Sequence, residues 1–106
     1  MPTVYLVQQG TFNLTPAKEW GNVKVLMPPM IQMLFDDPLM VEQIAEGLKE
    51  IKPEDYLLLA GDPALIGIVT AIAADYLEGE INLLKWDRQE KVYLPFHLSL
   101  YGDASE

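Results

Sequence analysis

Hydrophobic positions along this chain follow two periods, one typical of strands and one typical of helices. Short apolar runs that are rich in β-branched and aromatic residues, and that are bounded by Gly, Pro, Asn or Asp, predict strands. Such runs cover residues 4–7, 23–27, 55–60, 81–86 and 92–100. A short helical turn is expected at residues 16–20, within a mixed polar stretch.

Two longer segments predict the principal helices. An Asp-Pro pair opens each of them, at Asp37 and at Asp62, where the carboxylate can accept from free N–H groups and the proline lacks an N–H that would be unpaired in any case. The first helix, over residues 38–52, is amphipathic. The second, from residue 63 to about residue 78, is apolar around most of its circumference, which predicts a helix deep in the fold. Its Gly67 predicts a close approach of the helix backbone to the sheet.

The order of these elements favours an α/β fold. Strand, helix and strand in succession around the second helix predict a parallel pair joined by a right-handed crossover. The uninterrupted apolar run at residues 55–60 fits a strand that is covered on both faces. After a polar turn at residues 87–90, alternation in the last segment predicts a hairpin strand with Val92 and its even-numbered apolar neighbours in the core. Pro95 cannot donate to a ladder and places this strand at an edge.

A length of 106 residues corresponds to one domain, and 50% apolar residues are enough for a core. We therefore expect a single α/β domain over residues 1–106. Its sheet should be mixed, mostly parallel and of about five strands, with two main helices and a C-terminal β-hairpin. The polar residues 101–106 are expected to form a frayed tail. The pattern leaves the strand order open.

The charge balance restricts the class of partner. Sixteen acidic against seven basic residues give a net charge of −9, which repels phosphate backbones and argues against nucleic acid as a partner. The same charge suits docking on a basic surface, mimicry of nucleic acid, or solubility alone. The longest run without charges in the second half, residues 63–74, is shorter than the ~20 residues of a membrane span, so no membrane association is expected. The N-terminus lacks the pattern of a secretory signal, which predicts a cytoplasmic location, in the host cell if the protein is viral.

The residue types present exclude several chemistries. The absence of cysteine excludes disulfides, thiol nucleophiles and zinc–thiolate sites. Neither the phosphate-loop motif nor the dinucleotide-binding motif occurs. His97 is the only histidine and Arg88 the only arginine; we interpret His97 as a surface or hydrogen-bonded structural residue. We predict no catalytic residues, no metal and no cofactor, and the sequence favours a protein that is not an enzyme.

A ligand site, if the chain has one, is expected beyond the carboxyl ends of the parallel strands. The polar loops there suit a neutral polar ligand better than catalysis. Asp62 is interpreted as a helix cap, which already occupies the position that a bound phosphate would need; a functional carboxylate is the alternative. The ligand-binding candidates at these strand ends are Gln8, Gln9, Thr11, Asn13, Gly61 and Asp62.

A methionine-rich apolar segment, residues 27–40, offers a second kind of site. Methionines and apolar loops next to prolines are frequent at protein–protein interfaces. The alternative is that the segment folds over the sheet as a lid on its own core. The interface candidates, which include one tryptophan outside the segment, are Trp20, Met27, Met30, Met33, Leu34, Phe35 and Met40.

Three stretches carry a resemblance to known proteins: "VYLVQQG", "KPEDYLLLAGDPALIGIVTAIAA" and "INLLKWDRQEKVYLP". Together they resemble a group of small uncharacterised bacteriophage and mobile-element proteins, over about half of the chain. The resemblance implies a compact α/β protein of viral or mobile-element origin and implies no activity. Our leading hypothesis is a phage accessory protein that acts by binding, to itself as a homo-oligomer or to a host protein. The alternative is a small-molecule or nucleotide-binding protein, with or without hydrolytic activity, whose site lies at the strand ends.

Overall fold

A computed structural model describes residues 1–29 and 37–102, and in it five strands form one mixed sheet. The order of the strands across the sheet is β2-β1-β3-β4-β5. β1 pairs in parallel with β2 and β3, β3 pairs in parallel with β4, and β4 pairs antiparallel with β5. The elements are β1 (Thr3–Gln8), a 3-10 helix (Thr15–Glu19), β2 (Asn22–Met27), α1 (Pro38–Leu48), β3 (Tyr56–Leu58), α2 (Pro63–Tyr76), β4 (Glu80–Asp87) and β5 (Val92–Ser99). The predicted α/β class, with five strands, two main helices and a C-terminal hairpin, is confirmed.

Aspartate caps begin both helices, as predicted. The N–H of Leu39 donates to Asp37 Oδ1 at 3.0 Å, and the N–H of Ala64 donates to Asp62 Oδ1 at 3.2 Å. Each cap has an extended backbone and is followed by a proline at the first helical position.

Core side chains lie on both faces of the sheet, because neighbouring residues of a strand point in opposite directions. One face is covered by α1 and α2; the other is partly covered by the 3-10 helix. In β3, Leu57 belongs to the helix side and Leu58 to the 3-10 side, which confirms that this strand is covered on both faces. The buried residues on the 3-10 side are Val4, Leu6, Ala17, Leu58, Leu84 and Tyr93.

The predicted deep burial of α2 is wrong. Its fully buried side chains are Leu65, Val69 and Ala73, which follow one another at helical spacing on one side. Gly67 is exposed, and a Cβ atom added there would meet no atom within 4 Å, so the expected close approach at this glycine is also wrong. The outer side of α2 carries mainly small uncharged residues. The sequence pattern therefore indicated a helix that is apolar all round, although only one side packs on the sheet.

The face assignment of β5 is wrong for most of the strand, because Leu98 alone among the residues expected in the core packs, partly buried, against the helix-side cluster. Val92, Leu94 and Phe96, expected in the core, are 44%, 38% and 49% exposed, whereas Tyr93 is only 5% exposed. α2 contacts β1 and β4, so the outermost strand extends past the layer of helices, while the 3-10 helix reaches β5 from the other face. We call Val92, Leu94 and Phe96 the hairpin strip.

Pro95 lies on the edge strand, as expected. The Leu100 N–H donates to Gly79 O at 2.9 Å, and bonded positions alternate along an antiparallel pair. The even-numbered residues of β5 therefore turn their backbone groups toward β4. Pro95 turns outward, where its missing N–H costs no bond to β4 and interrupts the free edge of the sheet.

A buried carboxylate joins the amino ends of the parallel strands. Asp55 Oδ1 accepts from the N–H of Thr3 at 2.8 Å, and its Oδ2 accepts from the N–H of Lys52 at 2.9 Å. Nearby, burial raises the pKa of the Tyr5 phenol, and the negative charges of Asp55 and Glu50 raise it further. Asp55 is thus a structural residue that fixes the entry to β3.

Two expectations concern segments that lie partly outside the described residues. These are the frayed tail, of which residues 103–106 are not described, and the apolar segment 27–40, of which residues 30–36 are not described. Within residues 1–29 and 37–102, neither helix is long and apolar enough to cross a membrane.

Candidate functional site

Gln8 organises the carboxyl ends of the strands. Its side chain is 5% exposed. The Nε2 group donates to Pro28 O at 3.1 Å, and Oε1 accepts from the N–H of Asp62 at 2.8 Å. The amide therefore connects the end of β1 to the chain after β2 and to the start of α2.

Gly61 permits this connection. Its φ is +121°, and a Cβ atom there would lie 2.4 Å from Cβ of Gln8. Gln8, Gly61 and Asp62, three of the predicted ligand residues, are thus brought together, and the contacts they make with one another are structural.

The other three ligand candidates, Gln9, Thr11 and Asn13, lie on the exposed loop that follows β1. The backbone N–H of Gln9 donates to Met27 O at 3.0 Å, which extends the pairing of β1 with β2. Asn13 Oδ1 accepts from the N–H of Thr15 at 2.9 Å and opens the 3-10 helix. Of the six candidates, Asn13 alone lines the cavity described next.

A cavity of about 520 Å³ lies between this loop and the ends of β3 and β4. We call it the strand-end cavity. Its volume falls in the range of ~300–1,000 Å³ typical of small-molecule sites. The described residues that line it are Phe12, Asn13, Pro16, Leu58, Leu59, Ala60, Trp86, Lys91 and Tyr93.

Three aromatic side chains form much of its wall. Trp86 and Tyr93 are cross-strand partners in the hairpin, with ring centroids 4.9 Å apart at 62°. Such edge-to-face pairs are favourable and fix both rings. The Phe12 ring packs on the backbone of Gly10, where a Cβ atom would lie 2.6 Å from the ring. Burial raises the pKa of the Tyr93 phenol, so this hydroxyl is neutral at physiological pH and can donate or accept a hydrogen bond.

Lys91 supplies the charge in the described part of the lining. It occupies a left-handed position with φ +56° in the hairpin turn, and its N–H donates to Asp87 O at 2.8 Å. It forms no ion pair with any other described residue. Lys91 also lines an adjoining cavity of about 430 Å³, whose wall includes Glu19 and Trp20.

The sequence predicted a site at the carboxyl ends of the strands but did not identify most of the residues that line the cavity. Trp86 pairs with Tyr93 across a turn at residues 88–91, whereas the turn predicted at residues 87–90 would place Trp86 opposite Lys91, so the predicted register differs from the observed one by one residue. Phe12 joins them only because β3 lies between β1 and β4, and the sequence pattern left that strand order open.

The described interface candidates pack on the protein itself. Met27 is 2% exposed in the core, Trp20 is partly buried with its ring 5.5 Å from that of Tyr56, and Met40 packs against the core. Met27 lies in β2, Met40 in α1 and Trp20 after the 3-10 helix, so these placements test neither the interface nor the lid alternative for the segment. Met30, Met33, Leu34 and Phe35 lie outside the described residues, so an interface at this segment stays a prediction.

A polar cluster occupies the opposite end of the hairpin. Asn82 Nδ2 donates to Pro53 O at 2.9 Å, which turns Asn82 Oδ1 toward His97 Nδ1 at 2.8 Å. His97 Nε2 lies 3.0 Å from Glu80 Oε1, and Ser99 Oγ donates to the other oxygen of Glu80. Glu80 stands between the imidazole and the hydroxyl, so His97 is not placed to take a proton from Ser99. The predicted role of His97 as a hydrogen-bonded surface residue is confirmed.

The described residues offer no metal centre: no three His, Asp or Glu side chains among them are grouped to hold an ion.

Comparison with known proteins gave one finding. A family model described as phage Pam3 gp32-like protein matches residues 2–100. Neither the curated proteins nor the solved structures gave a match. The resemblance to small phage proteins is thereby confirmed.

Proposed function

Since this chain belongs to the phage Pam3 gp32-like protein family, we propose that it is a phage protein that acts by binding and not by catalysis. The proposed binding site is the strand-end cavity. The observation that carries this proposal is the cavity's wall of three aromatic rings at the carboxyl edge of the parallel strands in a mixed sheet. Ligands of open α/β sheets bind at that edge.

The exposure of the wall supports a binding role. Trp86 and Phe12 are each 39% exposed although both are large apolar side chains. When a ligand covers apolar surface that was in contact with water, the burial contributes ~25 cal/mol per Å² to the free energy of binding. A concave apolar wall with a few polar groups is the usual composition of a small-ligand site.

The chemistry of the wall supports binding over catalysis. A general base must lie within hydrogen-bond reach of the proton it removes. The described lining holds no carboxylate and no histidine, and His97 lies at the other end of β5, paired with Glu80. Lys91 and the neutral Tyr93 hydroxyl are suited to orienting a ligand.

Nuclear magnetic resonance with a library of small fragments tests the proposal. We expect bound fragments to shift the signals of Phe12, Trp86 and Tyr93 together. Trp86→Ala should abolish those shifts, whereas Phe96→Ala, which removes an exposed aromatic ring from the opposite face of the hairpin, should preserve them. Fragments that perturb the hairpin strip or the helices and leave the cavity signals unchanged would contradict the proposal.

A second candidate function is association with another protein chain through the hairpin strip. The observation that favours it is the exposure of Val92, Leu94 and Phe96 side by side on an edge strand. Because Pro95 interrupts the free edge, the contact would join side chains and would not extend the sheet. The partner would be a second copy of this chain or a host protein.

Sedimentation at two salt concentrations tests the self-association form. Two chains of net charge −9 repel each other, so dimers should become more abundant as salt screens that repulsion. Phe96→Ser should shift the equilibrium toward monomer, and Phe12→Ser, outside the strip, should not. A protein that stays monomeric at high micromolar concentration in high salt would exclude self-association.

A further inference from the structure

We infer that the strand-end cavity takes a compact aromatic acid, a molecule with one or two planar rings and a single anionic group. This inference rests on the proposed function, because it names the class of ligand for the same cavity. The rings, the charge and the hydrogen-bond donors of the described wall support it.

The apolar part of the wall is suited to a flat ring. Phe12 approaches from the loop after β1, and Trp86 approaches from the end of β4, with the end of β3 between them. Aromatic rings pair edge-to-face or offset, and each such pair adds to the gain from simple burial. A planar ligand can contact Phe12 and Trp86 at once, which a bulkier saturated ring cannot do as closely.

The polar part of the wall offers donors. Lys91 contributes an ammonium group that is not paired with another described residue. Asn13 Oδ1 is occupied by the Thr15 N–H, which leaves the Nδ2 group to donate. The indole nitrogen of Trp86 can only donate. A carboxylate accepts hydrogen bonds and carries the opposite charge to Lys91.

The contrast with the rest of the molecule strengthens this assignment. The chain has 16 acidic residues, yet none of the described residues that line the strand-end cavity is acidic. Asn13 and Lys91 also line the adjoining cavity, where Glu19 repels an anion, so the anionic group belongs on the side of Asn13 and Lys91 that faces the strand-end cavity. A net charge of −9 disfavours a ligand with several negative charges, because Lys91 offsets only one of them.

Fluorescence titration measures the class of ligand directly. Trp20→Phe leaves Trp86 as the sole tryptophan, since the chain has two, so the emission then reports on the cavity. The probes are phenylacetate, its neutral analogue phenylacetamide and the saturated acid cyclohexylacetate. We expect phenylacetate to bind about two- to fivefold more tightly than phenylacetamide, as one partly exposed charge pair would give. Cyclohexylacetate should bind more weakly than phenylacetate.

Matched variants separate charge from packing. Lys91→Gln in the same background should remove the preference for the acid and leave the affinity for phenylacetamide unchanged. Lys85→Gln removes an exposed lysine of β4 that does not line the cavity, and should keep the preference. Melting temperatures show whether each variant is folded. If Lys91→Gln does not fold, the comparison of acid with amide on the parent protein still decides the question.

The outcomes distinguish this inference from the function on which it rests. Equal affinity for phenylacetate and phenylacetamide would overturn the anionic part, and equal affinity for the two acids would overturn the aromatic part. In both cases the cavity would still be a binding site. If none of the three probes binds and library fragments bind elsewhere, both the inference and the proposed function are overturned.

Discussion

The substitution Gln8→Leu should destabilise the protein strongly, although leucine is similar in size and apolar. Gln8 is buried, and its amide bridges Pro28 O and the Asp62 N–H at 3.1 and 2.8 Å. Leucine would fill the space and leave that carbonyl and that N–H without their partner. A net hydrogen bond contributes about 1 kcal/mol, and each buried polar group left unpaired costs about 1–3 kcal/mol.

Both groups are only partly buried, so water recovers some of this loss, and we expect a decrease of about 2–4 kcal/mol in the free energy of unfolding. For a domain of this size each kcal/mol lowers the melting temperature by about 4–8 °C, which predicts a fall of roughly 8–32 °C. Urea denaturation and calorimetry measure both quantities.

Gln9→Leu is the matched control, because Gln9 is the adjacent residue and is exposed. Its substitution should change the free energy of unfolding by less than about 0.5 kcal/mol. If Gln8→Leu is no more destabilising than Gln9→Leu, the amide bridge does not hold the strand ends together and the reasoning fails.

Four further substitutions test other parts of the structure, each by urea denaturation against the parent protein. Gly61→Ala should destabilise by more than about 2 kcal/mol, because the new Cβ atom would overlap Gln8 at a positive φ, and a neutral result would contradict the close approach. Gly67→Ala should instead stabilise by about 0.5–1 kcal/mol, because this helical glycine is exposed and has free space around it; destabilisation would show a contact there. Asp55→Asn should cost about 1.5–3 kcal/mol, since one of two backbone N–H groups would then face an amide N–H; an unchanged midpoint would refute this. Burial raises the pKa of Tyr93 in the folded state above its unfolded value near 10, so the unfolded chain releases the proton first and stability falls as pH rises above about 10. Tyr93→Phe should weaken that alkaline decline, and an unaltered pH profile would contradict it.

Local signals in the sequence were sufficient to predict the helices and the strands. The Asp-Pro pairs at residues 37 and 62 begin helices because cap and proline act within one turn, and both caps form as expected. The strands likewise follow from apolar runs and their breakers. These patterns depend on neighbouring residues, so they can be recognised without knowledge of the fold.

The buried face of β5 could not be predicted from the sequence, because it depends on the order of the strands and on how much of the sheet the helices cover. The apolar face of β5 was assigned to the core because alternation shows that a face is apolar and does not show that anything covers it. In the structure α1 packs mainly on β2, and α2 packs mainly on β1 and β4. An edge strand therefore extends beyond the helices, and Val92, Leu94 and Phe96 remain exposed.

The residues of the candidate site were predicted only in part, for the same reason. Asn13 was named because it follows β1, and the carboxyl edge was the expected place. Trp86 and Tyr93 lie more than 70 residues from Phe12 along the chain and meet it through the order β1-β3-β4-β5. Gln8 and Asp62 were correctly expected to lie near each other, but their polar groups stabilise the turn and do not line the cavity.

The most direct test of the strand-end cavity as the binding site is a crystal structure of the full chain soaked with phenylacetate and a fragment library. We expect ordered ligand density between Phe12 and Trp86, with the carboxylate of phenylacetate within hydrogen-bond distance of Lys91 Nζ. An empty cavity in well-ordered crystals, with fragments bound on the hairpin strip instead, would contradict it and favour association with another protein chain.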